Sequence, residues 1–291
     1  MSENNIARAP SRARDLFGAL GALVGFYGAF AVLVVAAGVV LPDQWLDGQW
    51  GPAVSTVVML LAALVVNVAI VVRGWGTWKL LGWNGGTRDR AALAFGTVLG
   101  LAIAFMAITV AVVIGGARIE LTGEPFTAYL VVAGRVGLVL LVAALAEELL
   151  FRGYPLARLA APMGKVGASV ALAVVFAGAH LTNPEVSTLG LVNIGLASLV
   201  LSAAFFTPGG LPLAWGVHFG WNGGLALGAD APVSGLTFDI PALEFATGRS
   251  AWVTGGTFGP EGGIAASVAM AVALIWLSQG SKKRAGEGER T

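Results

Sequence analysis

Cysteine is absent from the 291 residues of this chain. Its absence excludes disulfide bonds, a thiol nucleophile and thiolate metal sites. Charged residues are also scarce, at 11% of the sequence, against about 25% in soluble globular domains. The net charge of +1 gives no support to nucleic-acid binding, which depends on an excess of Lys and Arg. These scarcities exclude a soluble thiol enzyme and a nucleic-acid-binding module.

Apolar residues and glycine make up most of the chain instead. Hydrophobic residues account for 57% of it, glycine occurs 42 times and the mean hydropathy is +0.82. Long apolar runs are typical of transmembrane helices, and small residues let such helices pack closely where lipid removes the usual hydrophobic driving force. We therefore predict an all-α, polytopic membrane protein with about eight transmembrane helices in a lipid bilayer.

The predicted domain organisation follows these apolar runs. The spans cover about residues 16–41, 53–72, 91–115, 128–161, 166–182, 187–206, the stretch from the Pro208–Pro212 turn to 228, and 262–279. Together they form one membrane-embedded domain, residues 16–279, between a polar tail at 1–15 and a basic tail at 280–291. Residues 229–261 are rich in glycine and proline and are predicted to be a long polar loop.

The distribution of Lys and Arg predicts the orientation of these spans. With the N-terminus inside, the outer loops hold only Arg118 and Arg249, and the inner segments hold nearly all the other basic residues. Cytoplasmic segments carry such an excess of Lys and Arg in multi-pass membrane proteins. Both termini are therefore predicted to be cytoplasmic, in a multi-pass protein of the cell membrane.

Two adjacent carboxylates and an arginine lie at the end of the apolar run 136–146. A charge at bilayer depth costs roughly 2.5–3.5 kcal/mol on insertion scales, so it needs a partner or a function. Glu148 and Arg152 are four residues apart, which places them on one helix face within reach of an ion pair. Glu147 lies about 100° around the helix and has no local partner. Glu147 is thus the carboxylate available for chemistry.

The chain has only two histidines, and both lie in other apolar segments. His180 follows Phe176 by four residues, and His218 precedes Asn222 by four residues. Each pair shares one helix face. Taken singly, each motif has a simple structural explanation, such as an ion pair at a helix end, a histidine bonded to a backbone carbonyl, or interhelical hydrogen bonds. Together they account for nearly all the ionisable side chains in the apolar runs, which indicates a site.

Antiparallel geometry predicts which of these residues are level with one another. The turn between the fourth and fifth predicted spans is centred between Met163 and Gly164, so residues whose numbers sum to 327 should be level. Glu147 and His180 meet this condition, about 20 Å from the turn at 1.5 Å per residue. His218 is expected to be about two helical turns shallower. We expect the four polar residues to line one cavity open to the cytoplasmic half of the membrane.

Three ordered motifs resemble the signatures of a known family. They are Glu147-Glu148-x-x-x-Arg152, Phe176-x-x-x-His180 and His218-x-x-x-Asn222. In this order on successive helices they resemble the motifs of the CPBP family of intramembrane endopeptidases, the CAAX protease and bacteriocin-processing family, also called Abi. The resemblance covers about residues 130–225, which would be the catalytic core. It implies that Glu147 activates the attacking water with help from His180, and that His218 and Asn222 stabilise the oxyanion.

The residues also allow other chemistry. Glu147, His180 and His218 are an acceptable set of zinc ligands with an open fourth position, although Asn222 suits an oxyanion site better than a metal. The preferred mechanism requires no cofactor. Glu148, Arg152 and Phe176 are expected to support the site.

The same buried residues would also suit functions other than proteolysis. A proton-coupled transporter or a non-catalytic immunity protein would use the same buried Glu and His residues. An intramembrane aspartyl protease is excluded because every aspartate falls outside the spans. The expected substrate is a peptide or a membrane protein, prenylated or not.

Overall fold

The computed structural model describes residues 12–48 and 50–288, with side chains described up to residue 279. Most of the predicted polar tail, residues 1–11, lies outside the described residues, as do residues 289–291. The first helix begins at Arg12, and the last helix continues to Gly288 through the predicted basic tail.

The described residues form ten α-helices, two short strands and two 3₁₀ turns. The helices are α1 (Arg12–Val40), α2 (Asp43–Leu46), α3 (Gly51–Val72), α4 (Gly86–Val113), α5 (Phe126–Phe151), α6 (Tyr154–Ala179), α7 (Thr188–Phe205), α8 (Gly210–Ala229), α9 (Ala251–Thr254) and α10 (Ile264–Gly288). The strands are β1 (Arg118–Glu120) and β2 (Glu244–Ala246), and the turns are Gly256–Phe258 and Pro260–Gly262. The predicted all-α class is therefore confirmed.

Five stretches of helix in the described residues are long and apolar enough to cross a membrane. They are Arg12–Val40, Gly51–Val72, Gly86–Val113, Phe126–Ala179 and Thr188–Phe205, with a shorter apolar helix at Ile264–Gln279. The chain is thus a helical membrane protein. The number of crossings and the side of the termini stay predictions.

The predicted fourth span differs from the structure in one respect. Instead of a continuous helix to about residue 161, α5 ends at Phe151 and α6 starts at Tyr154. Gly153 lies between them with a non-helical backbone, and a proline stands in the first turn of α6. Proline suits a helix start because it lacks the N–H that would need a partner. The predicted reversal of direction is present, since α6 contains a break at Gly164, where φ is 73°.

Glycine contacts fix α8 against α4. Gly96 and Gly100 of α4 face Gly216 and Gly220 of α8, and a Cβ at any of the four would overlap or crowd the backbone of the facing helix. The two glycine pairs are each spaced by four residues, which aligns them on one helix face. The two backbones are therefore in direct contact, and α8 is held in the centre of the molecule.

Indole and phenol groups join α8 to α5. Trp215 Nε1 donates to the Leu141 carbonyl oxygen at 2.8 Å, and the Tyr129 hydroxyl donates to the Leu227 carbonyl oxygen at 3.0 Å. A donor satisfied in this way inside a membrane protein contributes more to orientation than to stability. These two hydrogen bonds thus connect α5, which carries the first motif, to α8, which carries the third.

Two loop contacts join segments that are predicted to lie on the same side of the membrane. β1 and β2 pair antiparallel, and both belong to loops predicted to be outside. At the other end, the Leu211 N–H donates to the Gly82 carbonyl oxygen at 3.0 Å, which joins two segments predicted to be inside.

Candidate active site

Glu148 and Arg152 form the ion pair that their spacing predicts. Both side chains are fully buried, and Arg152 Nη1 lies 3.2 Å from Glu148 Oε1. The guanidinium also lies over the ring of Phe176, 4.4 Å from its centroid, a cation–π contact. Arg152 Nε and Nη2 have no hydrogen-bond partner among the described residues. Its charge therefore depends on Glu148 and on an aromatic face.

His218 lies between the two adjacent glutamates. Its Nδ1 is 2.8 Å from Oε1 of Glu148, and its Nε2 is 3.9 Å from Oε2 of Glu147. Because a carboxylate can only accept, Nδ1 carries a proton and donates it to Glu148. The His218 ring lies 6.3 Å from that of Phe176, which precedes His180 by one turn. The expected difference in depth therefore does not keep His218 away from the second motif.

His180 caps the C-terminal end of α6. Its Nδ1 lies 2.8 Å from the Phe176 carbonyl oxygen. Since a carbonyl oxygen can only accept, Nδ1 is the protonated nitrogen and Nε2 is left as an acceptor in the neutral ring. The simple explanation of His180 as a histidine bonded to a backbone carbonyl is therefore correct for Nδ1. It does not account for Nε2, which is the nitrogen that could take part in chemistry.

All four predicted site residues line one cavity of about 460 Å³: Glu147, His180, His218 and Asn222. Most of its wall is apolar. Oε2 of Glu147 is buried without a hydrogen-bond partner among the described residues. The structure thus brings together one carboxylate, two imidazoles and one amide.

The depth of the site follows from α1. Tyr27, near the middle of that helix, donates its hydroxyl to the Leu150 carbonyl oxygen at 3.0 Å. The ring of Phe26 stacks on Tyr154 with centroids 5.7 Å apart. These contacts place the end of α5 level with the middle of α1, a helix long and apolar enough to cross a membrane.

The cavity also includes residues that sequence reasoning missed. Tyr27 of α1 and Met59 of α3 line it, although the first three spans carry no motif. Ser234 and Glu261 line it as well, from residues 230–263, here called the cover segment. This segment was predicted to be a polar loop, but Glu261 is only 6% exposed. Nothing in the residue types of a glycine-rich loop marked these two side chains.

The position of the cover segment affects the predicted opening of the cavity. Lys and Arg placement assigns this segment to the outer side, and the cavity reaches it. The predicted opening towards the cytoplasmic half does not agree with that placement. On the predicted topology, the cavity extends from the middle of the membrane towards the outer surface.

The zinc alternative stays a prediction. Throughout the ranges 12–48 and 50–288, no group of three His, Cys, Asp or Glu residues is arranged closely enough to hold a metal ion. His180 Nδ1 is bonded to a backbone carbonyl and His218 Nδ1 to Glu148, so Nε2 of each ring is the nitrogen that a metal could bind. Metal-binding histidines are commonly oriented in this way.

One known family model matches the part of the chain that contains these site residues. Residues 129–224 match the family model described as type II CAAX prenyl endopeptidase Rce1-like. The chain is thus similar to this family over residues 129–224, the part that includes the ends of α5 and α6 and most of α8. The matched segment contains all three motifs, from Glu147 to Asn222, and excludes the cover segment. A search of curated proteins found no match. The CAAX protease family indicates a membrane protease whose substrates are peptides.

Proposed function

We propose that this protein is a member of the CAAX protease family and that it hydrolyses a peptide bond inside the cavity, with water activated by Glu147. The observation that carries the proposal is the difference between two adjacent glutamates. Oε1 of the fully buried Glu148 is bonded to Arg152 and His218, whereas Glu147 lines the cavity, with its Oε2 3.9 Å from His218 Nε2 and without a hydrogen bond among the described residues. A carboxylate placed in this way in an apolar cavity suits a general base.

His180 supports the same step. Its Nδ1–H is held by the Phe176 carbonyl oxygen, so Nε2 is the nitrogen that can accept a hydrogen bond from the attacking water. Two acceptors, Glu147 and His180, can then orient one water molecule by both of its hydrogens. Holding the nucleophile in this way contributes to rate by lowering the entropy lost on reaching the transition state.

Asn222 and His218 are proposed to stabilise the oxyanion. They are one helical turn apart on α8, so both side chains can point at one substrate atom. Asn222 donates through its amide hydrogens. A single oxyanion donor of this kind contributes about 3 kcal/mol to transition-state stabilisation.

The role of His218 sets a condition on its protonation. Nδ1–H is already donated to Glu148, so Nε2 can donate to an oxyanion only in the imidazolium form. Glu147, Glu148 and Arg152 together carry a net charge of −1, and a protonated His218 makes the cluster neutral. Buried charges are tolerated when they are paired and hydrogen-bonded. We therefore assign the imidazolium form to the active enzyme.

The proposed reaction adds water across the peptide bond. The water oxygen bonds to the carbonyl carbon while one of its protons passes to Glu147. The C–N bond of the tetrahedral intermediate then breaks, and the proton moves from Glu147 to the leaving nitrogen. Glu147 regains its carboxylate, and the products are a carboxylic acid and an amine. No step in this sequence requires a metal or an organic cofactor.

The remaining motif residues are proposed to position His218 and Arg152. Glu148 holds Nδ1 of His218, Arg152 neutralises Glu148, and Phe176 packs its ring against both the guanidinium and the imidazole. This arrangement explains why the first motif contains two glutamates.

Cleavage by the purified protein tests the proposal. A farnesylated CAAX peptide and its unmodified twin, each supplied in detergent and in lipid vesicles, serve as substrates. Wild type is expected to cleave at least one of them, and Glu147→Gln is expected to be inactive with an unchanged unfolding temperature. An active Glu147→Gln protein would overturn the catalytic assignment.

A further inference from the structure

Glu261 is a buried carboxylate in the cavity wall that the proposed mechanism does not use. Three neutral donors hold it. Trp221 Nε1 donates to its Oε1 at 2.8 Å, and the hydroxyl of Ser234 donates to its Oε2 at 2.8 Å. The backbone N–H of Ser234 also donates to Oε2. Buried carboxylates need such donors, and these three connect the cover segment to the site.

The first connection leads to Asn222. Trp221 precedes it on α8 and is itself 4% exposed. Its indole N–H donates to the Glu261 carboxylate. This hydrogen bond restricts the movement of the turn of α8 that contains Trp221 and Asn222. The amide of Asn222 must lie within about 0.5 Å of its productive position to act on an oxyanion. A fixed indole one residue away provides that restraint.

The second connection leads to His180. The carbonyl oxygen of Ser234 accepts from Asn183 Nδ2 at 3.0 Å, and the backbone N–H of Asn183 donates to the His180 carbonyl oxygen at 3.1 Å. Ser234 has a φ of 49°, in the left-handed region that non-glycine residues rarely adopt. Two hydrogen bonds to Glu261 hold Ser234 in this conformation. One carboxylate thus joins the C-terminal end of α6 to the turn of α8 that contains Trp221.

Glu261 is in turn held firmly at its backbone. Asn193 of α7 donates through Nδ2 to the carbonyl oxygens of Glu261 and Gly263, at 2.7 and 2.9 Å. The hydroxyl of Ser267 on α10 donates to Asn193 Oδ1 at 2.7 Å. A Cβ on Gly259 would overlap the carbonyl oxygen of Pro232, so the chain around Glu261 is in close backbone contact. A carboxylate on so rigid a base can position other groups.

We propose that Glu261 is a positioning residue of the protease site, which holds Asn222 through Trp221 and the His180 turn through Ser234. This inference rests on the proposed function, because it assigns Asn222 a role in the transition state. Glu261 does not contact the reacting atoms in this scheme. It acts through the two residues that donate to it, and its effect is on kcat.

The test removes the donors and keeps Glu261, since loss of the buried carboxylate itself could unfold the cover segment. Trp221→Phe deletes the indole N–H and keeps an aromatic ring, and Ser234→Ala deletes only the hydroxyl. Each is expected to lower kcat roughly tenfold with KM unchanged, because the interaction acts in the transition state. The unfolding temperature of each variant reports whether the fold is intact.

A double-mutant cycle separates positioning from general stability. In an Asn222→Ala background, Trp221→Phe is expected to have no further effect on kcat, because the group it positions is gone. Trp215→Phe is the matched control, since it also removes one indole hydrogen bond of 2.8 Å from α8. The effect of Trp215→Phe on kcat is expected to be the same in wild type and in the Asn222→Ala background.

The outcomes distinguish the two proposals. If Asn222→Ala lowers kcat and Trp221→Phe leaves it unchanged, the positioning inference is overturned and the proposed function stands. An equal loss from Trp221→Phe in both backgrounds also overturns it. If Asn222→Ala is itself fully active, the proposed oxyanion site is wrong.

Discussion

His218 Nδ1 and Glu148 Oε1 lie 2.8 Å apart, and the same carboxylate oxygen lies 3.2 Å from Arg152 Nη1. One oxygen of Glu148 thus joins a guanidinium and an imidazole. The adjacent Glu147 makes only a longer contact with His218, at 3.9 Å, and lines the cavity. We therefore propose separate tasks for these two identical side chains, a structural one for Glu148 and a chemical one for Glu147.

Substitution of each glutamate by glutamine should give different defects. Glu147→Gln is expected to abolish cleavage and leave stability unchanged. Glu148→Gln leaves the buried charge of Arg152 without its counter-ion and is expected to lower stability by about 3–5 kcal/mol, the range for broken buried pairs. Thermal unfolding in detergent and the cleavage rate measure the two effects. Equal stability losses in both variants would contradict the assignment.

Substitution of Asn222 should separate the metal-free mechanism from a zinc mechanism. Asn222→Ala is expected to lower kcat by roughly 10²–10³ with little change in KM. Asn222→Asp should be at least as inactive, because a carboxylate repels the developing oxyanion. The measurement is kcat for both variants, with and without a chelator. An active Asp variant, or a wild type silenced by chelator and restored by zinc, would overturn the metal-free mechanism.

The activity of wild type should decline at high pH. Loss of the Nε2 proton of His218 removes an oxyanion donor there, so the rate falls as the imidazolium is deprotonated. His218→Gln should have low activity without the decline at high pH, since its amide does not titrate. A rate profile of kcat/KM against pH measures this. A wild-type decline that persists unchanged in His218→Gln would show that another group causes it.

The glycine contact between α4 and α8 should tolerate no side chain. Gly100→Ala is expected to destabilise the protein by about 1–3 kcal/mol or more, the usual cost of overpacking, because its Cβ would overlap the facing backbone. Gly25→Ala on α1 is the control, since its Cβ would meet nothing within 4 Å. Unfolding temperatures compare the two. Wild-type stability of Gly100→Ala would refute the close backbone contact.

The absence of cysteine makes the orientation of the protein directly measurable. Two exposed positions suit the substitutions Leu236→Cys and Trp78→Cys. The native Leu236 side chain, in the cover segment, is 51% exposed, and the native Trp78 side chain, in the loop between α3 and α4, is 46% exposed. We expect a membrane-impermeant thiol reagent on intact cells to label the first and to label the second only after permeabilisation. The reverse pattern would place the cover segment in the cytoplasm.

Several features of the site follow from the sequence alone. The ion pair of Glu148 and Arg152 depends only on a spacing of four residues in a helix, and the structure contains it. The prediction that residues of α5 and α6 whose numbers sum to 327 are level depends only on the rise per residue of a helix. Phe151 and Phe176, whose numbers also sum to 327, are in contact with centroids 4.9 Å apart. Regular helices have a fixed geometry, so local sequence determined these relations.

Only the tertiary structure decided which groups meet across helices. The hydrogen bond of His218 with Glu148 at 2.8 Å, and its longer contact with Glu147 at 3.9 Å, depend on how α8 packs against α4 and α5. That packing is set by glycine contacts and two interhelical hydrogen bonds. The role of Glu261 depends on the path of a glycine-rich segment that has no periodicity to interpret. Helical spacing fixes positions within one element, whereas contacts between elements arise from packing that a single sequence does not display.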